Sequence, residues 1–416
     1  IMGTIKGVLD AVAAVAGDRG RGTGDRGRSC AEGRPPAPVP CPPTPVPYAA
    51  RPYLVALDIP TGLNADTGEA DLACFAADLT VALGFPKVGM FLFPGAANVG
   101  TLITRSIGLP DQLAADIKTG LLNANCVRNL LPPRLANANK GTFGKVLVVG
   151  GSINYVGAPC LAALAAIRTG AGLVTLATCS SLQPVAAAKL TEATFLPLPE
   201  VAGCRALGEA AAAVVGEALA GYNTLLIGCG LGRHPETAEF VRTVLRACPP
   251  WVSVVVDADG LNALSEKEDW WEDIACPLVL TPHPGEMARL TGHTVGEVNG
   301  RRLDLARQFS AKWRKVVVLK GANTVVVSPG GEVNINHAAN PALATAGVGD
   351  VLAGVIAGLL AQGLSTWDAA SAGVYIHGEA GAALSRELGE AGLLASELAS
   401  AVPRVLKSLR ETQLGP

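Results

Sequence analysis

The chain has 416 residues, is 49% hydrophobic and has a mean hydropathy of +0.35, so it can bury large cores, and its length suggests two domains. Lys+Arg 33 against Asp+Glu 35 gives a net charge of -2, and aromatic residues are only 4%, which excludes the basic field and the stacking surfaces of a nucleic-acid or anionic-membrane binder and leaves small molecules as expected partners. The 10 cysteines include no C-x-x-C pair and no zinc-spaced His/Cys cluster, a reduced and cytoplasmic pattern, and no apolar run reaches the roughly 18 residues of a membrane span.

In chain order, residues 1 to 50 hold a short apolar stretch, Gly/Arg/Asp repeats and then Pro35, Pro36, Pro38, Pro40, Pro42, Pro43, Pro45 and Pro47. That proline density forbids helix and central strand and predicts a disordered or linker segment. Order is predicted from Tyr53, with a buried strand over 54–57 that ends at Asp58-Ile59-Pro60-Thr61-Gly62, and further strands over 79–83 and 101–104, a fragment of a sheet. From Gly144 the pattern becomes strand, glycine turn, helix: a strand over 146–149, the turn Gly150-Gly151-Ser152, a helix from about 159 to 169, and strands over 173–176, 224–227, 252–256, 278–280, 316–319 and 324–327. Apolar runs without alternation predict an α/β domain whose mostly parallel sheet is covered on both faces, and in such sheets ligands sit beyond the carboxyl ends of the strands.

The turns at those ends carry the polar residues. They are Gly228-Cys229-Gly230-Leu231-Gly232, Asp257-Ala258-Asp259-Gly260-Leu261-Asn262, Thr281-Pro282-His283-Pro284-Gly285-Glu286 and Lys320-Gly321-Ala322-Asn323-Thr324. Singly they read equally well as a glycine turn, an Asx cap, a proline-rigid loop and a hairpin turn, but their shared edge of the sheet points to one site. His283, held between two prolines, either donates to or stacks on a substrate ring or faces water. Lys320 reaches a phosphate as a point charge or is solvated, and Glu286 caps a helix or holds a magnesium-bound water.

Last comes Ala344-Thr345-Ala346-Gly347-Val348-Gly349-Asp350, which opens into an apolar run over 351–360. Gly347 and Gly349 let backbone amides approach a phosphate, the positive end of the helix favours the anion, and Asp350 stands beside it as a base. The alternative is a glycine turn with Asp350 as an ordinary cap.

With these residues in view, the span from about 139 to 409 resembles the ADP- or ATP-dependent NAD(P)H-hydrate dehydratase family, of the ribokinase-like three-layer αβα fold. The matching motifs are Lys140-Gly141-Thr142-Phe143-Gly144, Gly157-Ala158-Pro159, Arg168-Thr169-Gly170-Ala171-Gly172-Leu173-Val174, the turns at 281–286 and 320–324, and 344–350. The resemblance implies dehydration of the S epimer of NADH hydrate or NADPH hydrate, regenerating NAD(P)H with release of AMP and phosphate, with ADP favoured over ATP and magnesium accompanying it. It implies Asp350 as the catalytic base, Ala158, Gly230, His283 and Asp350 on the hydrate, and Lys320, Gly321, Ala322, Asn323, Thr324, Gly347 and Gly349 on the nucleotide. Departures are Ala346, which stands for a glycine in the family's Thr-Gly-Gly, the stretch His377 to Ala382 around Glu379, and Glu397 where the family has Asp; none touches the phosphate chemistry.

The front part resembles the end of a Rossmann-like NAD(P)H-hydrate epimerase domain through Val55 to Leu63, Asp66-Thr67-Gly68 and Ala77-Asp78-Leu79-Thr80-Val81. That resemblance implies Asp58 on the hydrate and Thr61 on potassium. The first half of such a domain, with its glycine-rich loop, is not found here, so epimerase activity is expected to be lost. The expected organisation is a Pro/Gly-rich segment 1–50, a partial epimerase over 51–125 and a dehydratase over 126–416, with homo-oligomers formed through the exposed sheet fragment. Two rival readings fit the glycine loop and Asp350: a small-molecule kinase of the same fold, and a non-catalytic nucleotide-binding protein.

Overall fold

A computed structural model describes residues 52–201 and 206–411. The segment 1–50, expected to be a linker, lies outside the described residues. The chain divides into two compact units after Ala115.

In the first unit β1 (Val55–Leu57), β2 (Leu79–Leu83) and β3 (Thr101–Arg105) form a parallel sheet in the order β1-β2-β3. The connections between them carry short 3-10 turns such as Val88–Phe91 and Gly95–Asn98, and no α-helix occurs among the described residues of this unit. Ala56 of β1 is buried, while Val55 and Leu57 on its other face are 52% and 70% exposed, so this edge strand has one apolar face without cover in the unit.

The second unit is built on ten strands: β4 (Thr119–Leu121), β5 (Lys145–Val149), β6 (Leu173–Cys179), β7 (Thr194–Leu198), β8 (Thr224–Ile227), β9 (Ser253–Val256), β10 (Leu278–Leu280), β11 (Val316–Leu319), β12 (Val325–Val327) and β13 (Val333–Ile335). Their spatial order is β4-β13-β12-β11-β10-β9-β8-β5-β6-β7. Strands β7 through β11 in that order pair in parallel, β11, β12 and β13 form an antiparallel meander, and β4 returns parallel to β13. Strand β4, which precedes the boundary read from the sequence at 125/126, and the helix Ala124–Leu130, which spans it, therefore lie in the second unit.

Valine and leucine fill both faces of the central strands, so β8, β9, β10 and β11 are almost wholly buried. The helix Val348–Ala361 packs over β8 and β9 and against the helix Gly157–Thr169, and every residue from Val351 to Ala361 is buried. Two glycines permit that close approach: a Cβ on Gly354 would lie 2.2 Å from Ala162 O, and one on Gly358 would lie 2.9 Å from Thr169 Cβ.

The chain leaves β5 toward β6 on one side and later places β8 on the other, so a crevice opens between the turns that follow β5 and β8. There Gly151 N donates to Cys229 O at 3.0 Å, and Ser152 Oγ donates to Gly230 O at 2.8 Å.

Candidate active site

Because β8, β9, β10 and β11 run in parallel, the four turns read from the sequence open on one edge of the sheet. The helix Val348–Ala361 begins at the same place, with Gly347 in the left-handed region at φ 88° as its cap. One ligand atom each from Cys229, Asp257 and Asp350 lies within 4.8 Å of the others. A Cβ on Gly349 would sit 3.5 Å from Lys320 Nζ and 4.0 Å from Asp257 Oδ2, so the first turn of the helix faces this cluster with its backbone open.

Asp257 ties the site together. It is 1% exposed, and its Oδ1 accepts from Lys320 Nζ at 2.6 Å and from Thr281 Oγ1 at 2.7 Å. Lys320 Nζ lies 3.7 Å from Glu286 Oε2, so one ammonium faces two buried carboxylates. Burial opposes the charge on Lys320, but Asp257 and then Glu286 outweigh it and hold its pKa above the ordinary lysine value. Burial pushes Glu286 up to about 7, against the pull of Lys320. Asp350 is pushed up to about 6, first by burial and then by the Asp257 carboxylate, an arrangement that gives a base titrating near neutrality.

His283 and Glu286 form a reciprocal cap on the helix Pro284–Thr291. His283 Nδ1 accepts from Gly285 N at 3.0 Å and Glu286 N at 3.3 Å, and Glu286 Oε2 accepts from His283 N at 2.8 Å. With Nδ1 accepting, the ring proton sits on Nε2, 3.5 Å from Glu286 Oε1, on a side chain that is half-exposed. Burial, then Lys320 and Arg289, hold the His283 pKa below its usual value, so the imidazole is neutral and ready to donate from Nε2. Of the two readings of Glu286, the helix cap is the one seen, and the same carboxylate also faces Lys320.

The turn Lys320 to Thr324 joins β11 to β12 as a hairpin, with Gly321 at φ 138° and Asn323 at φ 54°. Arg302 braces it from below, donating to Leu319 O at 2.9 Å and to Lys320 O at 3.0 Å. Ala322 is exposed at the tip, and Thr324 Oγ1 donates back to Gly321 O at 2.9 Å. At the β5/β8 crevice Ala158 and Gly230 adjoin: a Cβ on Gly230 would lie 3.1 Å from that of Ala158 and 2.8 Å from Tyr155 O. Ala158, Gly230, His283, Lys320 to Thr324, Gly347, Gly349 and Asp350 therefore all belong to the second unit and to the strand-end edge of its sheet or the helix start beside it.

Asp58 and Thr61 belong to the first unit. Asp58 follows β1 at φ 68°, is ion-paired to Lys87, and accepts from Leu83 N at 3.0 Å; the Lys87 and Leu83 hydrogen bonds hold its pKa below the usual carboxylate value. Thr61 is exposed three residues later.

Sequence reasoning quoted Cys229, Asp257 and Thr281 within their turns without giving them roles, and it passed over Arg302. The position of an aspartate directly after a buried valine strand was the available signal for Asp257; nothing local marks Arg302, which reaches the site from a helix start 18 residues before Lys320. The Cys229, Asp257 and Asp350 group does not suit a resident magnesium ion. Burial, Asp350 and Asp257 keep the Cys229 thiol protonated, and Asp257 Oδ1 is already engaged by Lys320.

A family model described as NAD(P)H-hydrate dehydratase matches residues 146–404, and one described as the YjeF-related protein N-terminus matches residues 48–89. A bifunctional NAD(P)H-hydrate repair enzyme of Moorella thermoacetica is 45% identical over 360 residues, covering 86% of this chain and 67% of that protein. The ADP/ATP-dependent NAD(P)H-hydrate dehydratase of Bacillus subtilis, crystallised with ATP and magnesium, aligns at a TM-score of 0.61 and 34% identity, covering 70% of this chain and 99% of that one. A ribokinase-like superfamily protein of Enterococcus faecalis aligns at a TM-score of 0.62 and 26% identity, covering 70% and 97%. Among the described residues no helix is long and apolar enough to cross a membrane. The ribokinase-like fold, the family match over most of the second unit and the extent of identity to the repair enzyme place the chain in the NAD(P)H-hydrate dehydratase family, as an enzyme of NAD(P)H-hydrate repair.

Proposed function

We propose that the second unit removes water from the S epimer of NADH hydrate or NADPH hydrate and that ADP drives the reaction. Asp350 takes the proton of the hydrate hydroxyl as that oxygen attacks the terminal phosphorus of ADP, and AMP leaves. The ring nitrogen's lone pair then expels phosphate with the C–O electrons, and the neighbouring ring carbon loses its proton to water as the double bond re-forms, so one ADP and one hydrate give AMP, phosphate, NAD(P)H and one proton. Amides at Gly347 and Gly349, at the positive end of a helix buried from Val351 to Ala361, hold the transferred group, and Lys320 with Gly321 to Thr324 holds the nucleotide. His283 Nε2, Ala158 and Gly230 contact the hydrate. Magnesium, held by the nucleotide's own phosphates beside the amides of Gly347 and Gly349, would screen their charge.

The observation that carries this reading is the Asp350 carboxyl, held near neutrality at the start of a glycine-opened helix and beside the Lys320–Asp257 pair. The relatives' names supply the substrate and the choice between ADP and ATP as donor. In the first unit we assign Asp58 to the hydrate and Thr61 to potassium, supported by their place at the C-terminal end of β1. Donor choice is tested by isothermal titration of ADP, ATP and AMP with magnesium, followed by turnover with each. Tighter, productive binding of ADP supports the reading, and turnover with ATP alone overturns the donor assignment.

A further inference from the structure

Cys229 is completely buried, and its backbone is fixed on every side. Its carbonyl accepts from Gly151 N at 3.0 Å, and it lies between Gly228 at φ 128° and Gly230 at φ 69°. A Cβ on Gly228 would lie 1.9 Å from Asp257 O, so the chain here has no freedom to turn the neighbouring side chain elsewhere. With one side against the apolar core, the Sγ atom stands within 4.8 Å of a carboxylate oxygen of both Asp257 and Asp350. A thiol used only as filler needs no such neighbours.

The geometry points to Cys229 as a positioning residue for the dehydration: its S–H donates to the Asp350 carboxylate and fixes the direction in which that base faces the substrate hydroxyl. The inference rests on the dehydratase reading above. Asp350 is surrounded by Asp257 from the end of β9, Asp259 from the helix that follows it, Lys320 from the end of β11 and Cys229 from the end of β8. His377 Nε2 approaches Val348 O, two residues before Asp350, at 3.0 Å. Of these neighbours the two aspartates favour the protonated base, while Lys320 and the thiol favour the ionised one. Asp257 is already held by Lys320 and Thr281, which leaves the thiol as the donor available to Asp350 from β8.

The test uses the full chain and titrates the Asp350 carboxyl directly by carbon NMR, its resonance assigned by its loss in Asp350→Asn. Cys229→Ala and Cys229→Val bracket the volume of the thiol and remove its donor, so one folded member of the pair suffices; Cys229→Ser keeps a donor. The midpoint is expected to rise in Ala and Val and to stay at or below the wild-type value in Ser. The acid limb of the kcat profile for ADP-driven dehydration moves in parallel, while KM for ADP stays within about twofold, equal to roughly 0.4 kcal/mol. A common midpoint in all variants, with only stability or kcat lowered, overturns the proposal and leaves Cys229 as packing. If the midpoint moves as expected while wild type turns over no hydrate, the positioning contact stands and the dehydratase reading falls.

Discussion

Replacing Asp350 by Asn separates stability from activity. In the folded chain the Asp350 carboxyl rises from 3.8 to about 6, chiefly through burial and then through Asp257. A raised carboxyl binds its proton more tightly in the folded than in the unfolded chain, so its stabilising effect is complete below the unfolded value and is lost as pH rises toward the folded one. Above that window the ionised carboxylate costs the fold about 3 kcal/mol, an order-of-magnitude figure from the two values. Asparagine has nearly the same shape and never ionises, so the variant should be more stable than wild type by about that amount at about pH 8 and equal to it at about pH 3. Urea unfolding at several pH values measures the gap. The same variant should lose about 10² to 10⁴ of its turnover, since the base is gone. A variant no more stable than wild type at the higher pH, or a gap that does not close on acidification, would refute the burial argument for Asp350.

Lys320→Met leaves Asp257 and Glu286 buried without their ammonium and should destabilise the second unit by about 3 to 5 kcal/mol, with partial recovery at low pH as the carboxylates take up protons; a loss that is the same at every pH contradicts the shared-cation account. Gly354→Ala forces a methyl to 2.2 Å from Ala162 O and should cost about 1 to 3 kcal/mol in thermal unfolding. Gly216→Ala, in the helix Glu209–Ala218 with nothing within 4 Å, should gain about 0.5 to 1 kcal/mol in the same assay. Gly349→Ala meets only ordinary contacts, so its melting temperature should match wild type while ADP binding by calorimetry weakens by about tenfold or more, roughly 1.4 kcal/mol; unchanged affinity would remove the glycine amides from the nucleotide site.

The strands that the sequence made legible are the ones buried on both faces. Runs such as Val316-Val317-Val318-Leu319 have no alternation to confuse with a helix and end in short polar, glycine or proline turns such as Lys320-Gly321, so both the strands and their shared edge could be read. Strands β4 and β13 were missed because Gly120 and Asn334 interrupt their three-residue runs, and β7 was missed because Pro197 breaks its pattern. The antiparallel meander of β11 to β13 was missed for a related reason: the Lys320 turn was read for its ligand and its hairpin geometry was left as an alternative. In the site, glycine turns and lone polar residues stood out, whereas Arg302 and the thiol of Cys229 gain their meaning only from contacts between distant elements.

The most direct measurement follows the absorbance of reduced nicotinamide after the purified chain is mixed with the S epimer of NADH hydrate and with ADP, ATP or no nucleotide. Absorbance that rises with ADP, produces one AMP and one phosphate per NADH, and is abolished in Asp350→Asn is the result expected. No rise with either nucleotide, in a chain that binds ADP, or full turnover by Asp350→Asn, would contradict the assignment of the reaction to this site.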